Sequence, residues 1–441
     1  MDIIPAGLDS FSDGEFTDIR RKLRLSSWWK VTGVRTTVNL PEYEDLPDSG
    51  PNTGTETWKT EILGHTHIRI EADRKRRYRC PNCGQLAPIY QMVRRRLTHL
   101  SYMGYDCVLE VDVPKLDCTC GKHRLPFPAA RDKVTYTKDF EKEVLRSLLK
   151  STITGTADRL HVGRWIVDDI LSYRTRSSFD ELDLSGVNMI YVDETQFSKG
   201  RNNYLTVVCD QTRRIIFMCP GKGSDTIVQF IEWLKAHGGK PQKIRIVSAD
   251  MSMSYEAAVM KHLRNATLVF DRFHVVKSVQ DDVDDVRRRV INFRNTNRNH
   301  LRLAHVMYTL FTHEKNMNER DAERMQNIRL NYPEVALAYD MKETFCQIYE
   351  CKTREEAKEF FDQWYGWAWS CSIKEFRKRA EIFKGKLDRI LSWFDNKVSN
   401  SVAECMNSMI QKTKAAACGY SNMGNFINMC MFRFGRLTIR F

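Results

Sequence analysis

In the middle of the chain, between residues 187 and 276, short apolar runs alternate with amphipathic stretches, a pattern that predicts an α/β unit. Three apolar runs come first, with only short connections between them, and a helix, a strand, a helix and a strand follow. The predicted elements are strands at 187–192, 203–209 and 213–219, a helix at 225–237, a strand at 243–249, a helix at 255–263 and a strand at 267–270.

Two of these strands run directly into an acidic residue. Asp193 ends the first strand and Asp250 ends the fourth. The order β-β-β-α-β-α-β, with carboxylates after the first and fourth strands, is that of the RNase H fold. Because open α/β sheets place their sites at the ends of central strands, we expect the two carboxylates to lie together.

The strand pattern stops after residue 275. Valines recur at steps of three and four from Val276 to Val290, with charged residues between them, so this stretch reads as a long amphipathic helix. Helical composition continues to about residue 394. We therefore predict an all-helical insertion at 276–395 that splits a catalytic domain into 181–275 and 396–441. The valine stripe has heptad-like spacing, so it either contacts a second copy of the chain or packs inside its own subunit.

A further helix is predicted to begin near Asn400, after the helical insertion. Val402, Met406 and Met409 would pack on the sheet. The polar residues of the same helix, Asn400 and Glu404 among them, would form its opposite face.

The first 180 residues divide into three predicted parts. Residues 1–70 contain short extended runs and one turn-rich stretch, typical of a β-rich lead-in. Residues 131–180 are helical, and 156–170 read as helix, turn, helix, with Arg164 near the start of the second helix, where base contacts are usually made. We interpret 131–180 as a helix-turn-helix DNA-binding domain, although any helical hairpin can give this pattern.

A zinc-binding module is predicted between these two parts, at 71–130. Cys80 and Cys83 form a Cys-x2-Cys-Gly knuckle, and Cys118 and Cys120 provide a second pair. The Cys-x-Cys spacing is unusual, so the fourth ligand is Cys120 or His123, and two unrelated thiol pairs are the alternative. The role expected of a structural Zn²⁺ is to fold a small module. A basic run that includes Arg74, Arg76 and Arg77 precedes it and is a candidate DNA contact.

Composition narrows the function classes. Of the 441 residues, 42% are hydrophobic and 28% are charged, and the formal net charge of +13 favours a polyanionic partner. No apolar run approaches the roughly 20 residues of a membrane span, and the first residues lack the features of a secretory signal. We expect a cytoplasmic protein with reduced thiols and no membrane partner.

Four short segments together resemble the successive signatures of bacterial insertion-sequence transposases, most closely the ISL-three group. They are Tyr191-Val-Asp193-Glu-Thr, Ser248-Ala-Asp250-Met-Ser, Phe270-Asp271-Arg-Phe-His274-Val and Ser399-Asn400-Ser-Val-Ala-Glu404-Cys-Met-Asn407. The zinc module and the helix-turn-helix precede them in the family's order. The resemblance implies an RNase H-like catalytic domain with an Asp-Asp-Glu triad, in a bacterial protein associated with the nucleoid. The compressed Cys118-Thr-Cys120 pair departs from the spacing expected.

The chemistry implied is metal-dependent cleavage of a phosphodiester followed by strand transfer. Asp193, Asp250 and Glu404 would hold two Mg²⁺ or Mn²⁺ ions about 3.5–4 Å apart, since hard cations prefer carboxylate oxygens. His274 would contact the scissile phosphate or orient a water, or else cap a helix. Asn400 would orient Glu404 or touch DNA.

Three functions fit these features. The first is a DNA transposase that binds the terminal inverted repeats of its element and inserts into target DNA, acting as a homodimer or higher oligomer because two ends must be joined. The second is a domesticated transposase that only regulates through DNA binding. The third is a structure-specific nuclease, which would not need the zinc module, the helix-turn-helix and the long helical insertion together.

Overall fold

The computed structural model describes residues 13–38, 64–198, 203–293, 306–396 and 401–441, without the side chains at 13, 38, 292, 293 and 401–404. Glu404 is therefore described by its backbone alone, and Asn400 lies outside the described residues. The chain forms two compact units, Met1–Ile170 with Phe441 and Leu171–Arg440. None of the described helices is long and apolar enough to cross a membrane.

The first unit contains a helix, α1 (Asp13–Lys22), and a five-stranded sheet of order β1-β2-β6-β5, with β7 paired to β6. A separate two-stranded pair, β3 and β4, carries the first cysteine knuckle. The strands are β1 (Trp29–Val38), β2 (Gly64–Ala72), β3 (Tyr78–Arg79), β4 (Leu86–Ala87), β5 (Ile89–Tyr102), β6 (Tyr105–Cys118) and β7 (Gly121–Arg124).

Alternate residues of these strands face the core. In β2, Ile68 and Ile70 are buried while Arg69 between them is exposed, as the two-residue period of a strand requires. Ile68 pairs with Leu109 of β6 in parallel register. The predicted β-rich lead-in therefore shares a sheet with the segment that carries the cysteines, and it also contains a helix, α1, that its pattern did not predict.

Three helices follow in the order α2 (Lys138–Leu148), α3 (Ile153–Arg159) and α4 (Arg164–Phe179). Thr137 and Thr152 begin α2 and α3, because each hydroxyl accepts a hydrogen bond from a backbone N–H in the first turn. The short turn between α3 and α4 contains His161 in the left-handed region, at φ 49°. The predicted helix, turn, helix is confirmed, and the second helix begins at Arg164.

The second unit contains a five-stranded sheet of order β10-β9-β8-β11-β12. Its first three strands in the chain are antiparallel neighbours, and β11 is parallel to both β8 and β12. The strands are β8 (Met189–Gln196), β9 (Tyr204–Asp210), β10 (Ile215–Pro220), β11 (Ile246–Ala249) and β12 (Thr267–Phe270).

Helices cover both faces of this sheet. Val192 of β8 packs in the same core as Phe230 of α5 (Ser224–Ala236) and Val259 of α6 (Met253–His262). Tyr191, the preceding residue, packs on the other face with Met406 of α13 (Ser401–Ala416) and with α14 (Met423–Phe434). Neighbouring residues of one strand thus belong to two cores, as alternation along a strand dictates.

A helical segment, whose described residues are 272–293 and 306–396, lies between β12 and α13 in the chain. Its described helices are α7 (Arg272–Phe293), α8 (Met307–Phe311), α9 (Glu319–Asn331), α10 (Pro333–Cys346), α11 (Arg354–Ser370) and α12 (Lys374–Asn396). Val279, Val283 and Val286 of the predicted stripe are fully buried in the core formed with these helices. The hypothesis that this stripe contacts a second copy is therefore wrong, since the chain itself covers these side chains.

Candidate metal-binding active site

The register of two parallel strands brings the first two acidic residues together. Tyr191 of β8 is paired with Ser248 of β11. Asp193 and Asp250 each lie two residues beyond this pair, so their backbones sit side by side at the same edge of the sheet. The Asp193 side chain is only 16% exposed, whereas that of Asp250 is 45% exposed.

His274 links these carboxylates. It lies in the first turn of α7, which begins directly after β12. Its Nε2 is 3.8 Å from Asp193 Oδ1 and 3.6 Å from Asp271 Oδ2, and its Nδ1 is 3.6 Å from Asp250 Oδ1. The carboxylate that caps α7 is that of Asp271, which accepts a hydrogen bond from the backbone N–H of Phe273 at 2.6 Å. His274 therefore contacts the acidic cluster and is not the capping residue.

Burial disfavours the charged forms of the carboxyl groups in this cluster. Burial raises the pKa of Asp193, and the nearby Asp250 carboxylate acts in the same direction while His274 opposes it. Burial also raises the pKa of Asp271 to about 7, with His274 again opposing. Carboxylates that converge in a partly buried place repel each other until a cation or protons neutralise them. The donor set, carboxylate oxygens at a sheet edge, fits a hard divalent cation.

Helix α13, which is distant from β8 in sequence, also contacts this strand. The Nδ2 of Asn407 donates a hydrogen bond to Oδ2 of Asp193. One turn later, Gln411 Nε2 donates to Thr195 Oγ1 at 2.6 Å. The sequence predicts that both residues lie on the polar face of this helix, away from the sheet. They instead reach β8, because Asp193 and Thr195 are polar positions on the face of the sheet that α13 covers.

The four predicted zinc ligands converge in the first unit. Their sulfur atoms all lie within 4.8 Å of one another. Cys80 is 3.6 Å from Cys120, and Cys83 is 3.4 Å from Cys118. Four thiolates around one Zn²⁺ at about 2.3 Å would be spaced by roughly 3.8 Å, so the donor set and its spacing fit a tetrahedral site. His123 Nε2 is 3.4 Å from Cys120 Sγ, which places the imidazole beside the four thiols.

The electrostatics of this cluster favour a thiolate at Cys118. The backbone N–H of Cys120 and the neighbouring thiol of Cys83 lower the pKa of Cys118 to about 6. Against a hydrogen bond from the backbone N–H of Gln85, the thiols of Cys118 and Cys120 raise the pKa of Cys83. A thiolate is the form of cysteine that binds metal.

The four arginines predicted to contact DNA occupy exposed positions in the first unit. Arg164 is exposed at the first residue of α4. Arg74, Arg76 and Arg77 are exposed in the turn between β2 and β3, and the Arg76 guanidinium lies 4.6 Å above the Trp28 ring. Exposed cations at such positions are available to a polyanion.

The sequence matches a family model described as transposase, of the DDE type and the ISL3 (ISL-three) group, over residues 190–430. That match covers more than half of the 441 residues. The chain belongs to this transposase family. It is also similar to the transposase for insertion sequence element IS1001 of Bordetella parapertussis, with 27% identity over 353 residues, which are 79% of this chain and 86% of that protein.

The family match includes every residue of the acidic cluster. Asp193, Asp250, Asp271 and His274 lie inside residues 190–430, as does position 404. The cysteine cluster and the start of α4 precede the matched residues. Membership in the ISL3 transposases, predicted from four short segments, is thus confirmed by a match that extends through the whole second sheet.

Two residues of the cluster were not among the predicted site residues. Asp271 is predicted only as part of the Phe270-Asp271-Arg-Phe-His274-Val segment, although it follows the third of three parallel neighbours and so reaches the same sheet edge. Asn407 is predicted only to lie on the polar face of its helix, opposite the sheet. Its spacing of three residues from Glu404, close to one helical turn, is the signal that would have placed it near the triad.

Proposed function

We propose that this transposase binds the terminal inverted repeats of its insertion sequence and catalyses metal-dependent DNA cleavage and strand transfer through Asp193, Asp250 and Glu404. The observation that carries the proposal is the convergence of Asp193 and Asp250 on His274, at the adjacent ends of two parallel strands. The strand order of the second unit supports an RNase H-like catalytic domain, with the helical segment as its insertion.

The position of Glu404 in α13 supports its place as the third ligand. Residue 404 precedes Asn407 by three positions, so it shares a helix face with a residue that is hydrogen-bonded to Asp193. Asn407 acts as the residue that orients the Asp193 carboxylate. Its amide N–H donates to Oδ2, while Oδ1 accepts a hydrogen bond from the backbone N–H of Glu194 and lies 3.8 Å from His274 Nε2.

When bound, two Mg²⁺ or Mn²⁺ ions would activate the attacking oxygen and stabilise the leaving oxygen of an in-line displacement. Asp193, Asp250 and Glu404 would hold these ions. His274 contacts all three aspartates and is positioned to hold a proton or a phosphate oxygen at the same edge. Asp271 orients the first turn of α7, on which His274 lies.

The first unit would supply DNA recognition. Arg164, at the start of α4, is placed to contact bases in the major groove, and the arginines of the β2–β3 turn are placed to contact phosphates. Zn²⁺ held by the four cysteines would fasten the β3–β4 pair to the end of β6. Asn400 is proposed as a DNA contact next to the triad.

The active form is proposed to be at least a dimer on DNA, because two element ends must be cut and joined while each chain has a single triad. The interface lies elsewhere than the valine stripe, which is buried in its own chain.

The test is cleavage of DNA that carries the native ends of the element. Asp193→Asn, Asp250→Asn and Glu404→Gln should each abolish Mg²⁺-dependent cleavage, and binding to the ends should remain. Ser408→Ala, an exposed position of α13, is the matched control and should cleave as the unmodified protein does. Wild-type-like cleavage in any of the three would remove that residue from the triad. Tight end binding without cleavage by the unmodified protein would favour a DNA-binding regulator.

A further inference from the structure

Helix α12 of the helical segment contacts the loop that carries Asp250. The Nζ of Lys386 donates a hydrogen bond to the backbone carbonyl of Met251 at 2.7 Å. Met251 in turn donates its backbone N–H to Asp250 Oδ1 at 2.5 Å. A two-step chain of hydrogen bonds thus connects a cation of α12 to the second proposed metal ligand.

Lys386 also contacts the elements on both sides of that loop. Its Nζ is 3.5 Å from Glu256 Oε2 in the first turn of α6, and it lies 5.2 Å from the ring centroid of Phe270, the last residue of β12. The Lys386 side chain is only 16% exposed. A buried ammonium held by a carbonyl and a carboxylate has a fixed position, unlike a lysine at the surface.

Neighbouring residues of α12 reinforce this attachment. Arg389 forms a second ion pair with Glu256. The Ser392 hydroxyl, which donates to the backbone carbonyl of Arg389 at 2.7 Å, lies 3.2 Å from the backbone carbonyl of Leu268 in β12. Residues spaced by three along one face of α12 therefore contact the start of α6, the loop after β11 and the strand that leads to Asp271.

The Asp250 side chain needs such support. It is 45% exposed, and in the described part of the chain its Oδ1 accepts a hydrogen bond from the backbone N–H of its own neighbour, Met251, and lies 3.6 Å from His274 Nδ1. Asp193, in contrast, is largely buried and is held by Asn407 from another helix. The backbone of Met251 therefore helps to orient the Asp250 carboxylate, and Lys386 holds that backbone.

We propose that Lys386 is a positioning residue for the metal site, through which the helical segment sets the orientation of Asp250. This inference rests on the proposed function, because it takes Asp250 as a metal ligand. Groups that orient metal ligands from outside the coordination sphere typically change metal affinity by about 10–100-fold when they are removed. The helical segment would then be required for the chemistry itself, apart from any contact that it makes with DNA.

The experiment measures Mn²⁺ binding to the full-length protein by electron paramagnetic resonance, without DNA, with Asp250→Asn giving the background. Lys386→Met removes the donor and keeps the length of the side chain. It should weaken Mn²⁺ binding about tenfold. Lys386→Arg retains a donor and should recover part of the affinity.

Arg379→Met is the matched control, because Arg379 lies on the same helix and pairs at 2.6 Å with Asp282 of α7, away from the Asp250 loop. Its Mn²⁺ affinity should be that of the unmodified protein.

Four results would overturn the inference. Unchanged Mn²⁺ affinity in Lys386→Met would show that Lys386 does not position the ligand. The same unchanged affinity together with weaker DNA binding would assign Lys386 to a phosphate contact instead. Equal weakening in Arg379→Met would show a general effect of α12 on the fold. If Lys386→Met does not fold, Lys386→Gln replaces it, and wild-type affinity in that variant overturns the inference. Absence of Mn²⁺ binding above the Asp250→Asn background in the unmodified protein would instead contradict the proposed function.

Discussion

Asn407 of α13 donates a hydrogen bond from its side-chain amide to Oδ2 of Asp193, 214 residues earlier in the chain. This contact joins α13, the helix that contains residue 404, to β8, the central strand of the second sheet.

Asn407→Ala should reduce cleavage of element ends about tenfold or more, because a hydrogen bond to a charged group contributes about 1.5–3 kcal/mol. Binding to the ends should not change, since Asn407 orients a carboxylate and does not read DNA. The measurement is the single-turnover cleavage rate at saturating DNA. Ser408→Ala, the exposed neighbour, serves as the control, and a wild-type rate in Asn407→Ala would contradict the orienting role.

The cysteine cluster predicts one Zn²⁺ per chain, measurable by mass spectrometry of the native protein. Cys83→Ser and Cys120→Ser should each lose the metal, because four thiols converge there. His123→Ala should keep it, since the imidazole lies beside a complete set of four sulfur ligands. Loss of zinc in His123→Ala with retention in Cys120→Ser would reverse the assignment of the fourth ligand.

Arg164→Ala should lower the affinity for terminal repeats roughly tenfold and leave the affinity for random DNA nearly unchanged, as expected for a base contact worth about 1–3 kcal/mol. Fluorescence anisotropy at two salt concentrations measures both affinities. Arg176→Ala, an exposed arginine near the other end of α4, is the control. An equal loss on both DNAs in Arg164→Ala would make Arg164 a phosphate contact.

The first unit should lose stability in acid through His99. This half-buried imidazole is 2.8 Å from the hydroxyl of Thr137, the residue that begins α2. Burial lowers its pKa below the usual 6.5. Between the lowered value and 6.5 the unfolded chain binds a proton that the folded chain does not, so stability falls as the pH falls below 6.5.

The midpoint of urea unfolding should drop between pH 7 and pH 5, and His99→Gln should show a smaller drop. An identical drop in both proteins would rule out His99 as the cause.

The local pattern of apolar and polar residues predicts many of the helices and strands of the second unit. The strand at residues 267–270 was predicted with its observed bounds, and the helix predicted at 225–237 is shifted by one residue. A strand that is buried on both faces has a short, continuous run of apolar residues. Where acidic residues bound such a run, its position can be predicted from the sequence. The adjacency of Asp193 and Asp250 also followed, since parallel strands end at the same edge.

The structural features that the sequence did not predict depend on contacts between residues that the local pattern does not connect. The long hairpin of β5 and β6 was missed because β5 carries consecutive arginines, which only pairing with β6 holds in a strand. Helix α7 begins at Arg272 rather than Val276, because Asp271 caps it directly after β12. The partner of Asn407 was unpredictable from periodicity, which gives the face of a helix but not the strand that this face meets.

The most direct test of the account exchanges the ligand atom at residue 193. Asp193→Cys replaces a carboxylate oxygen by a softer sulfur, which Mg²⁺ accepts poorly and more thiophilic ions such as Mn²⁺ accept better. Cleavage of element ends by this variant should be absent in Mg²⁺ and partly restored in Mn²⁺, while Asp193→Asn stays inactive in both. Equal activity of Asp193→Cys in the two metals, or activity of Asp193→Asn in either, would contradict the claim that Asp193 holds the catalytic metal.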